Sequence, residues 1–479
     1  EAVGSMGDDT PLAVLSDKYR PLYHFFRQNF SQVTNPPIDS LRENKVMSLK
    51  TRFGNLGNIL DFDNLTKENI YVLDGPILSN SQFEKFLRYF GEKYKILDCT
   101  FCLDDNLENA LEKLKSKAEQ LVREGIRQIV LTDKHTSKEN LPIPILLCIG
   151  AINTHLTNLG LRGYVSINVQ TGDALDTHSF ATLIGVGATT VNPYLAFDSI
   201  HQRYSKKLFG KLNFEECVSR YIKSVNLGLL KIMSKMGISV LSSYRGGCNF
   251  ETVGLSRTLV KDYFPGILSK ISGIGLNGIE KKIRKIHKEG FESTSNILPI
   301  GGIYKYRKNG ETHQYQGKLI HLIQTAVTEN SYAIYKKYAD GIYNLKPINL
   351  RDLMDFKVKE SININKVESV SSIMKRFGSG SMSHGALSKE AHETLAIGMN
   401  RIKGASCSGE GGEDEKRFKN KENGDSANSR VKQIASARFG VTINYLNNCN
   451  EIEIKIAQGA KPGEGGQLPG FKVTSEIAK

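Results

Sequence analysis

The chain has 479 residues, of which 39% are hydrophobic and 24% charged, and its formal net charge is +14. This composition excludes a disordered chain and leaves room for roughly two to four soluble domains. No apolar run reaches the about 18 residues that a membrane-spanning helix needs. The lysines are dispersed and no aromatic-basic pattern accompanies them, so we predict neither a nucleic-acid partner nor a membrane. Seven cysteines without a framework spacing favour a reducing compartment.

From position 12 onward, strand-like and helix-like segments alternate, which predicts an α/β fold. Amphipathic spacing predicts a helix over residues 108–125. The predicted strands are continuous apolar runs, and such runs indicate a mainly parallel sheet that is buried on both faces. They are NIYVLDGPIL, YKILDCTF, RQIVLTD, IPILLCIGA and GYVSINVQ.

The segment SGIGLNGIE, residues 272–280, carries glycines in the G-x-G-x-x-G spacing of dinucleotide-binding loops. That motif requires a strand directly before it. The preceding KDYFPGILSKIS contains a proline and a glycine, so we predict no such strand and interpret the match as coincidental.

Residues 344–370 have weak periodicity and are predicted to be a connector. After them, short strands alternate with glycine-bearing loops and, in most cases, helices. This is the βα pattern of a barrel in which ligands bind on the loops that follow the strands. Only about four of the eight strands of a closed barrel are present. We therefore predict an α/β domain followed by the first half of a (β/α)8 TIM-type barrel.

Two loops share the sequence GEGG, at residues 409–412 and 463–466. In a barrel the loops after strands 2 and 4 converge on one mouth, where glycine lets the backbone approach a flat or anionic ligand. Lys461 and Gln467 flank the second loop, and a lysine charge with an amide donor suits a small carboxylate substrate. An ordinary strand-to-helix connection, with the lysine at the surface, is the alternative.

Ser381, Met382 and Ser383, in the GSMS of the first predicted barrel strand, have small or pliable side chains, and a cofactor ring could lie against them. Lys455 and Gln458 alternate out of the strand EIEIKIAQ, and the residues that point into the barrel end could meet a cofactor.

Long motifs of this chain closely resemble the glutamate synthase family. GSMSHGALSKEAHETLAIGMNRI, GEGGEDEKRF, KQIASARFGVTINYL and AQGAKPGEGGQLPGFKV resemble the start of its FMN-binding domain. VQTGDALDTHSFATLIGVGATTVNPYLAF and LGLLKIMSKMGISVLSSYRGG look like its central domain. Essentially the whole chain is covered. The resemblance implies a central domain over residues 1–345, a connector over 346–366 and a truncated FMN barrel over 367–479.

The resemblance implies that ammonia, released from glutamine in an amidotransferase domain, condenses with 2-oxoglutarate to 2-iminoglutarate. Hydride from reduced FMN then gives glutamate. Electrons would come from NADH, NADPH or reduced ferredoxin through a [3Fe-4S] cluster whose ligands are not in this chain. The implied partners are the amidotransferase domain, the C-terminal barrel and β-helix regions, and, as a further candidate, an NAD(P)H-oxidising small subunit or domain. The compartment, cytoplasm or plastid, is left open.

Carried over to this sequence, the resemblance assigns Lys461 and Gln467 to the 2-oxoglutarate carboxylates. The residues implied to contact FMN are Ser381, Met382, Ser383, Gln433, Lys455 and Gln458. Those implied to line the mouth are Glu410, Gly411, Gly412, Glu413, Gly465 and Gly466. No metal ligand is predicted. The family usually has an asparagine where Cys407 stands and an aromatic residue where His384 stands, and both positions are near the flavin face.

The fragment alone is expected to be inactive, since it has neither the amidotransferase domain nor the second half of the barrel. A non-catalytic scaffold or interaction subunit derived from this enzyme is one alternative, and another FMN barrel oxidoreductase is a second. The presence of Lys461, Gln467 and the GEGGED loop argues against a scaffold, because a scaffold has no use for conformationally expensive glycines at a mouth.

Overall fold

The computed structural model describes residues 8–29, 42–54, 60, 70–293, 297–383, 387–435, 440–456, 470 and 473. Two compact units divide the chain, with the boundary between Asp355 and Phe356. This boundary falls inside the segment 346–366 that the sequence gives as a connector. None of the described helices combines the length and the apolar character that crossing a bilayer requires.

In the first unit the helices are α1 (Glu43–Val46), α2 (Asn80–Phe90), α3 (Leu107–Arg123), α4 (Ile145–Asn158), α5 (Thr177–Val186), α6 (Tyr194–Ser205), α7 (Phe214–Met236), α8 (Leu241–Tyr244), α9 (Arg257–Tyr263), α10 (Leu276–Glu292), α11 (Gly317–Thr328) and α12 (Tyr332–Tyr343). The strands are β1 (Phe26–Gln28), β2 (Thr51–Phe53), β3 (Tyr71–Leu73), β4 (Tyr94–Asp98), β5 (Thr100–Cys102), β6 (Gln128–Thr132), β7 (Asn140–Pro142), β8 (Ser166–Gln170), β9 (Thr190–Asn192), β10 (Phe250–Leu255) and β11 (Leu268–Ile274).

The main sheet of the first unit is parallel, with the strand order β4-β6-β8-β9. All five residues of β6 are buried, as expected for an apolar strand covered on both faces. Helix α3 begins at an Asn106 cap and buries its apolar side, Leu111 and Leu114 included. The parallel α/β architecture of this part therefore agrees with the prediction.

The prediction of a strand at IPILLCIGA is wrong. These residues open the helix α4, whose side chains from Ile145 to Ile152 are all buried. A helix that is covered on every side has no polar face, so its sequence reads as one apolar run and resembles a buried strand. Pro144, which precedes its first turn, fits a helix N-terminus.

The prediction that no strand precedes SGIGLNGIE is also wrong, since β11 leads into the motif and α10 follows it. Its glycines nevertheless have structural reasons. A Cβ at Gly273 would lie 2.0 Å from the carbonyl oxygen of Gly254 on the neighbouring strand, and one at Gly278 would lie 2.8 Å from the Ile274 side chain. The glycines are therefore explained by packing between β10, β11 and α10.

The second unit contains α13 (Val370–Met374), α14 (Lys389–Arg401), β12 (Val431–Ile434), α15 (Ile443–Asn447) and β13 (Glu451–Ile454). Strands β12 and β13 are parallel, and isolated parallel bridges join Gly378 to Ala405 and Cys407 to Val431. Four parallel segments therefore succeed one another in chain order. The described residues form no closed barrel, so the predicted half of a TIM-type barrel is not confirmed.

Candidate functional site

Polar side chains of the second unit converge near the carboxyl ends of its four parallel segments. Gln433 on β12 and Glu453 on β13 are partners in the ladder, and Cys407 bridges to β12 two residues before Gln433. Ser381 follows the first segment. Because side chains alternate between the two faces of a strand, Cys407, Gln433 and Glu453 project to one side, and Ser381 reaches the same side through its hydrogen bond to Glu453. We call Ser381, Cys407, Gln433 and Glu453 the Glu453 cluster.

One carboxylate oxygen organises this cluster. The Ser381 hydroxyl donates to Glu453 Oε1 at 2.7 Å, and Gln433 Nε2 donates to the same atom. Cys407 Sγ lies 3.7 Å from it and 3.0 Å from Ser381 Oγ. These contacts, Gln433 first and Ser381 second, lower the pKa of Glu453, so it is ionised at neutral pH. Burial raises the pKa of Cys407, which favours the thiol.

An ion pair lies next to the cluster. Lys455 Nζ contacts Glu410 Oε1 of the loop after the second segment, and both side chains are partly buried. The Lys455 amide donates to Ile434 O at 2.8 Å, which extends the β12–β13 pairing by one residue. The lysine is thereby held at both its backbone and its charged end. This pairing brings together two residues that the sequence assigned separately, one to the cofactor and one to the mouth.

The glycines of the first GEGG loop allow the chain to approach its own backbone. Gly409 has φ +62°, and a Cβ there would lie 2.5 Å from the Met382 carbonyl carbon. Gly412 has φ +68°, and a Cβ there would lie 2.1 Å from Gly440 O. Internal packing therefore explains these two glycines, and they no longer argue against a scaffold as the sequence interpretation held.

Glu413 lies inside the second unit. Its carboxylate pairs with Arg417 Nη2 at 2.9 Å and with Lys432 Nζ, and the side chains of Glu413 and Lys432 have no exposed surface. The Lys432 ammonium also lies over the rings of Phe418 and Tyr445. This burial argues against direct ligand contact by Glu413. The position of Glu413 at the mouth of the site remains a prediction, and the geometry does not favour it.

The sequence analysis missed Glu453 and His392. Glu453 lies two residues before Lys455, and the alternation in EIEIKI puts both on one face, so the period of two could have found it. His392 Nε2 lies 3.0 Å from both Met382 O and Ser408 O. A lone histidine on a helix carries no sequence signal for such a role.

Several predicted site residues have no described placement. Gln458, Lys461, Gly465, Gly466, Gln467 and His384 lie outside the described residues. Of the rest, Met382 is tied through its carbonyl to His392, and Gly411 has φ +96°. Among the described residues, no group of three or more His, Cys, Asp or Glu side chains is arranged to hold a metal ion.

A second polar cluster lies at the carboxyl edge of the sheet in the first unit. The Asp133 carboxylate accepts hydrogen bonds from Thr171 Oγ1, from Gly172 N at 3.1 Å and from Tyr194 Oη at 3.0 Å. These groups follow strands β6, β8 and β9. Burial raises the pKa of Asp133 despite the three donors. We interpret Asp133 as a structural link between strand ends.

These features define the class of the protein: it is an α/β protein, and its second unit brings ionisable and amide side chains together at the ends of parallel strands. Comparison with models of known protein families then identifies one family. Residues 1–256 match the glutamate synthase central domain, and residues 313–479 match a conserved region in glutamate synthase. The chain belongs to the glutamate synthase family.

Individual relatives agree with this assignment. The chain is 54% identical to the glutamate synthase (NADPH) large chain of Azospirillum brasilense, covering 100% of this chain and 32% of that protein. It is 44% identical to the corresponding large chain of Bacillus subtilis, covering 100% and 31%. With the chloroplastic ferredoxin-dependent glutamate synthase of Spinacia oleracea it shares 42% identity, covering 99% and 31%. The chain thus spans about a third of the length of these relatives.

Among solved structures, a flavocytochrome b2 with sulfite bound has 10% sequence identity and a TM-score of 0.30, covering 47% of this chain and 75% of that one. A similarity this low adds nothing to the assignment.

Proposed function

We propose that this chain is the part of a glutamate synthase that binds FMN and 2-oxoglutarate in its second unit. In the complete enzyme, ammonia derived from glutamine and 2-oxoglutarate would give 2-iminoglutarate, which is then reduced to glutamate. The observation that carries the proposal is the convergence of the Glu453 cluster and the Lys455–Glu410 pair at the ends of four parallel segments. Membership of the family supports the reaction, since the relatives are named as glutamate synthases.

The residues present fit a flavin in their chemistry. An isoalloxazine ring has alternating hydrogen-bond donors and acceptors along one edge, and the Ser381 hydroxyl, the Gln433 amide and the Lys455 ammonium can meet both kinds. Met382 and Ser383 follow Ser381 on the same segment, and Gln458 follows Lys455. These six residues are the proposed FMN contacts. When bound, FMN would supply the hydride for the reduction.

Lys455 has a second proposed role. Its ammonium is held by Glu410, so its position does not depend on ligand binding. A fixed positive charge beside the reacting groups stabilises negative charge that develops during reduction without a further reorganisation of the side chain. Glu410 is on this view a positioning residue for Lys455, which gives the mouth residue a role that the sequence did not assign.

The substrate assignments rest on residues outside the described part of the chain. Lys461 and Gln467 are proposed to bind the 2-oxoglutarate carboxylates, with Gly465 and Gly466 in the loop between them. A lysine charge and an amide donor match a carboxylate. In the sequence this loop follows β13, and Lys455, the first residue after that strand, pairs with Glu410.

The rest of the assembly is also proposed. We expect electrons from NADPH, NADH or reduced ferredoxin through a [3Fe-4S] cluster, an amidotransferase domain, the remaining barrel and β-helix regions, and, as a further candidate, an NAD(P)H-oxidising small subunit or domain. The first unit would serve as the central domain that connects these activities. The fragment alone would be inactive.

The test is anaerobic glutamate formation from 2-oxoglutarate and glutamine by the complete enzyme that contains this chain. Lys461→Ala should raise the KM for 2-oxoglutarate by roughly 10- to 100-fold, because a hydrogen bond to a charged group contributes about 1.5–3 kcal/mol. Its FMN content, measured by absorbance, should stay unchanged.

Lys419→Ala is the matched control, because Lys419 is an exposed lysine of the same unit. It should leave the KM unchanged. A wild-type enzyme that carries FMN and forms no glutamate would contradict the proposal and favour the non-catalytic scaffold. An unchanged KM in Lys461→Ala would remove that residue from the substrate site.

A further inference from the structure

We propose that Glu453 is a positioning residue for the flavin, which fixes the hydroxyl of Ser381 and the amide of Gln433 beside the ring and places a negative charge next to it. The inference rests on the proposed FMN site. It assigns a role to a side chain that the carried-over site residues do not include.

The geometry fixes which protons are used. A serine hydroxyl has a single proton, and that of Ser381 is donated to Glu453 Oε1 at 2.7 Å. Its oxygen then presents lone pairs to any other neighbour, while the Cys407 thiol, whose Sγ lies 3.0 Å from Ser381 Oγ, donates to the same Glu453 oxygen at 3.7 Å. Because its only proton is held by Glu453, Ser381 is left as an acceptor toward the remaining side of the site.

The same reasoning applies to the amide. Gln433 Nε2 donates to Glu453 Oε1. The oxygen of the same side-chain amide therefore points away from Glu453. Without the carboxylate, either the nitrogen or the oxygen of the amide could face the ligand. With it, the amide nitrogen is held by Glu453 and the orientation of the amide is determined.

The charge of Glu453 has a separate consequence. The carboxylate is ionised, and the ammonium of Lys455, two residues further along the chain, is already paired with Glu410. A net negative charge near a flavin disfavours the electrons that reduction adds to the ring. Glu453 should therefore hold the reduction potential of bound FMN at a lower value than a neutral side chain would.

The test compares Glu453→Gln with wild type in the complete enzyme, by spectroelectrochemical titration and by the flavin absorption spectrum. Glutamine keeps the size of the side chain but removes its charge and can itself donate to Ser381 or Gln433. The midpoint potential of FMN should shift to a more positive value, and the absorption bands of the flavin should move.

Glu451→Gln is the matched control, since Glu451 is an exposed carboxylate on the same face of β13, at its amino end. It should leave both readouts unchanged. Glu453→Asp keeps the charge, and its potential should lie closer to wild type than that of Glu453→Gln. The Glu453→Asp variant is also needed if Glu453→Gln no longer binds FMN. FMN binding by Glu453→Asp would then support the proposal, whereas loss of FMN from both variants would overturn it.

The failure of this inference is distinguishable from that of the proposed function. If wild type binds no FMN, the proposed function fails. If wild type binds FMN and Glu453→Gln has an unchanged potential and spectrum, the FMN site stands and the role of Glu453 is wrong.

Discussion

Arg417 Nη1 donates a hydrogen bond to His392 Nδ1 across 2.6 Å, in the buried part of the second unit. An arginine can only donate, so Nδ1 accepts and the neutral ring carries its proton on Nε2. That N–H faces Met382 O and Ser408 O, each 3.0 Å away. Since Arg417 also pairs with Glu413, a polar network links the interior of the unit to the backbone beside the candidate site.

The buried carboxylate of Glu413 should be essential for the stability of the second unit. Glu413→Gln removes the counter-charge of Lys432 and Arg417, both of which are buried. We expect a loss of about 3–5 kcal/mol in the free energy of unfolding, measured with urea. Lys421→Met, which breaks the more exposed pair with Glu393, is the control and should cost about 0–1 kcal/mol. Equal costs would contradict the prediction.

Gly409→Ala should destabilise the chain more than Gly424→Ala. Both glycines have positive φ, so each substitution costs about 1–2 kcal/mol of backbone strain. At Gly424 the added methyl group has no neighbour within 4 Å, whereas at Gly409 it meets the backbone of Met382 and Ser383. The difference in urea midpoint between the two variants measures this contact. A Gly409→Ala variant as stable as Gly424→Ala would show that the loop relaxes freely.

The hydroxyl of Tyr445 should contribute to the stability of the candidate site. It lies 2.6 Å from Ser408 Oγ and donates to Gln433 O at 3.0 Å, and burial raises the pKa of Tyr445 to about 12. Tyr445→Phe leaves both partners buried without it, which should cost about 1–3 kcal/mol. Tyr343→Phe at an exposed position is the control, with a change within about 0.5 kcal/mol. Thermal and urea unfolding of both variants would decide.

His313 should make the stability of the first unit depend on pH. Its Nδ1 lies 2.9 Å from Asp9 Oδ1 and its Nε2 lies 2.6 Å from Gly302 O, so both nitrogens face acceptors and the imidazolium is favoured. Burial lowers the pKa of His313, but the contacts with Gly302 and Asp9 outweigh it and the pKa is raised above 6.5. Burial likewise raises the pKa of Asp9, and the hydrogen bonds from Tyr315 and His313 bring it below 3.8.

The sign follows from these directions. The raised His313 pKa stabilises the fold fully below about pH 6.5, and this stabilisation is lost as the pH rises through the folded-state value. The lowered Asp9 pKa stabilises the fold above about pH 3.8 and is lost as the pH falls through its folded-state value. The advantage of wild type over His313→Gln in urea midpoint should therefore shrink over the pH range that begins at about 6.5 and extends upward. A constant difference over this range would refute the assignment.

The family and the α/β class could be predicted from the sequence because they depend on long motifs and on local periodicity. RQIVLTD became β6 and residues 108–125 fall largely within α3, since an apolar run and an amphipathic face report burial directly. The same signal failed at IPILLCIGA, because a fully buried helix and a fully buried strand are both apolar throughout.

The sequence by itself determined which residue types stand near the strand ends, and it proposed Ser381, Gln433 and Lys455 as cofactor contacts. Only the tertiary structure decided that Ser381 and Gln433 meet at Glu453, that Lys455 meets Glu410, and that Glu413 lies buried between two cations. The physical reason is that these contacts, apart from that of Glu413 with Arg417, join residues 19 to 72 positions apart. Such pairings follow from the order and register of the parallel segments, which local patterns do not specify.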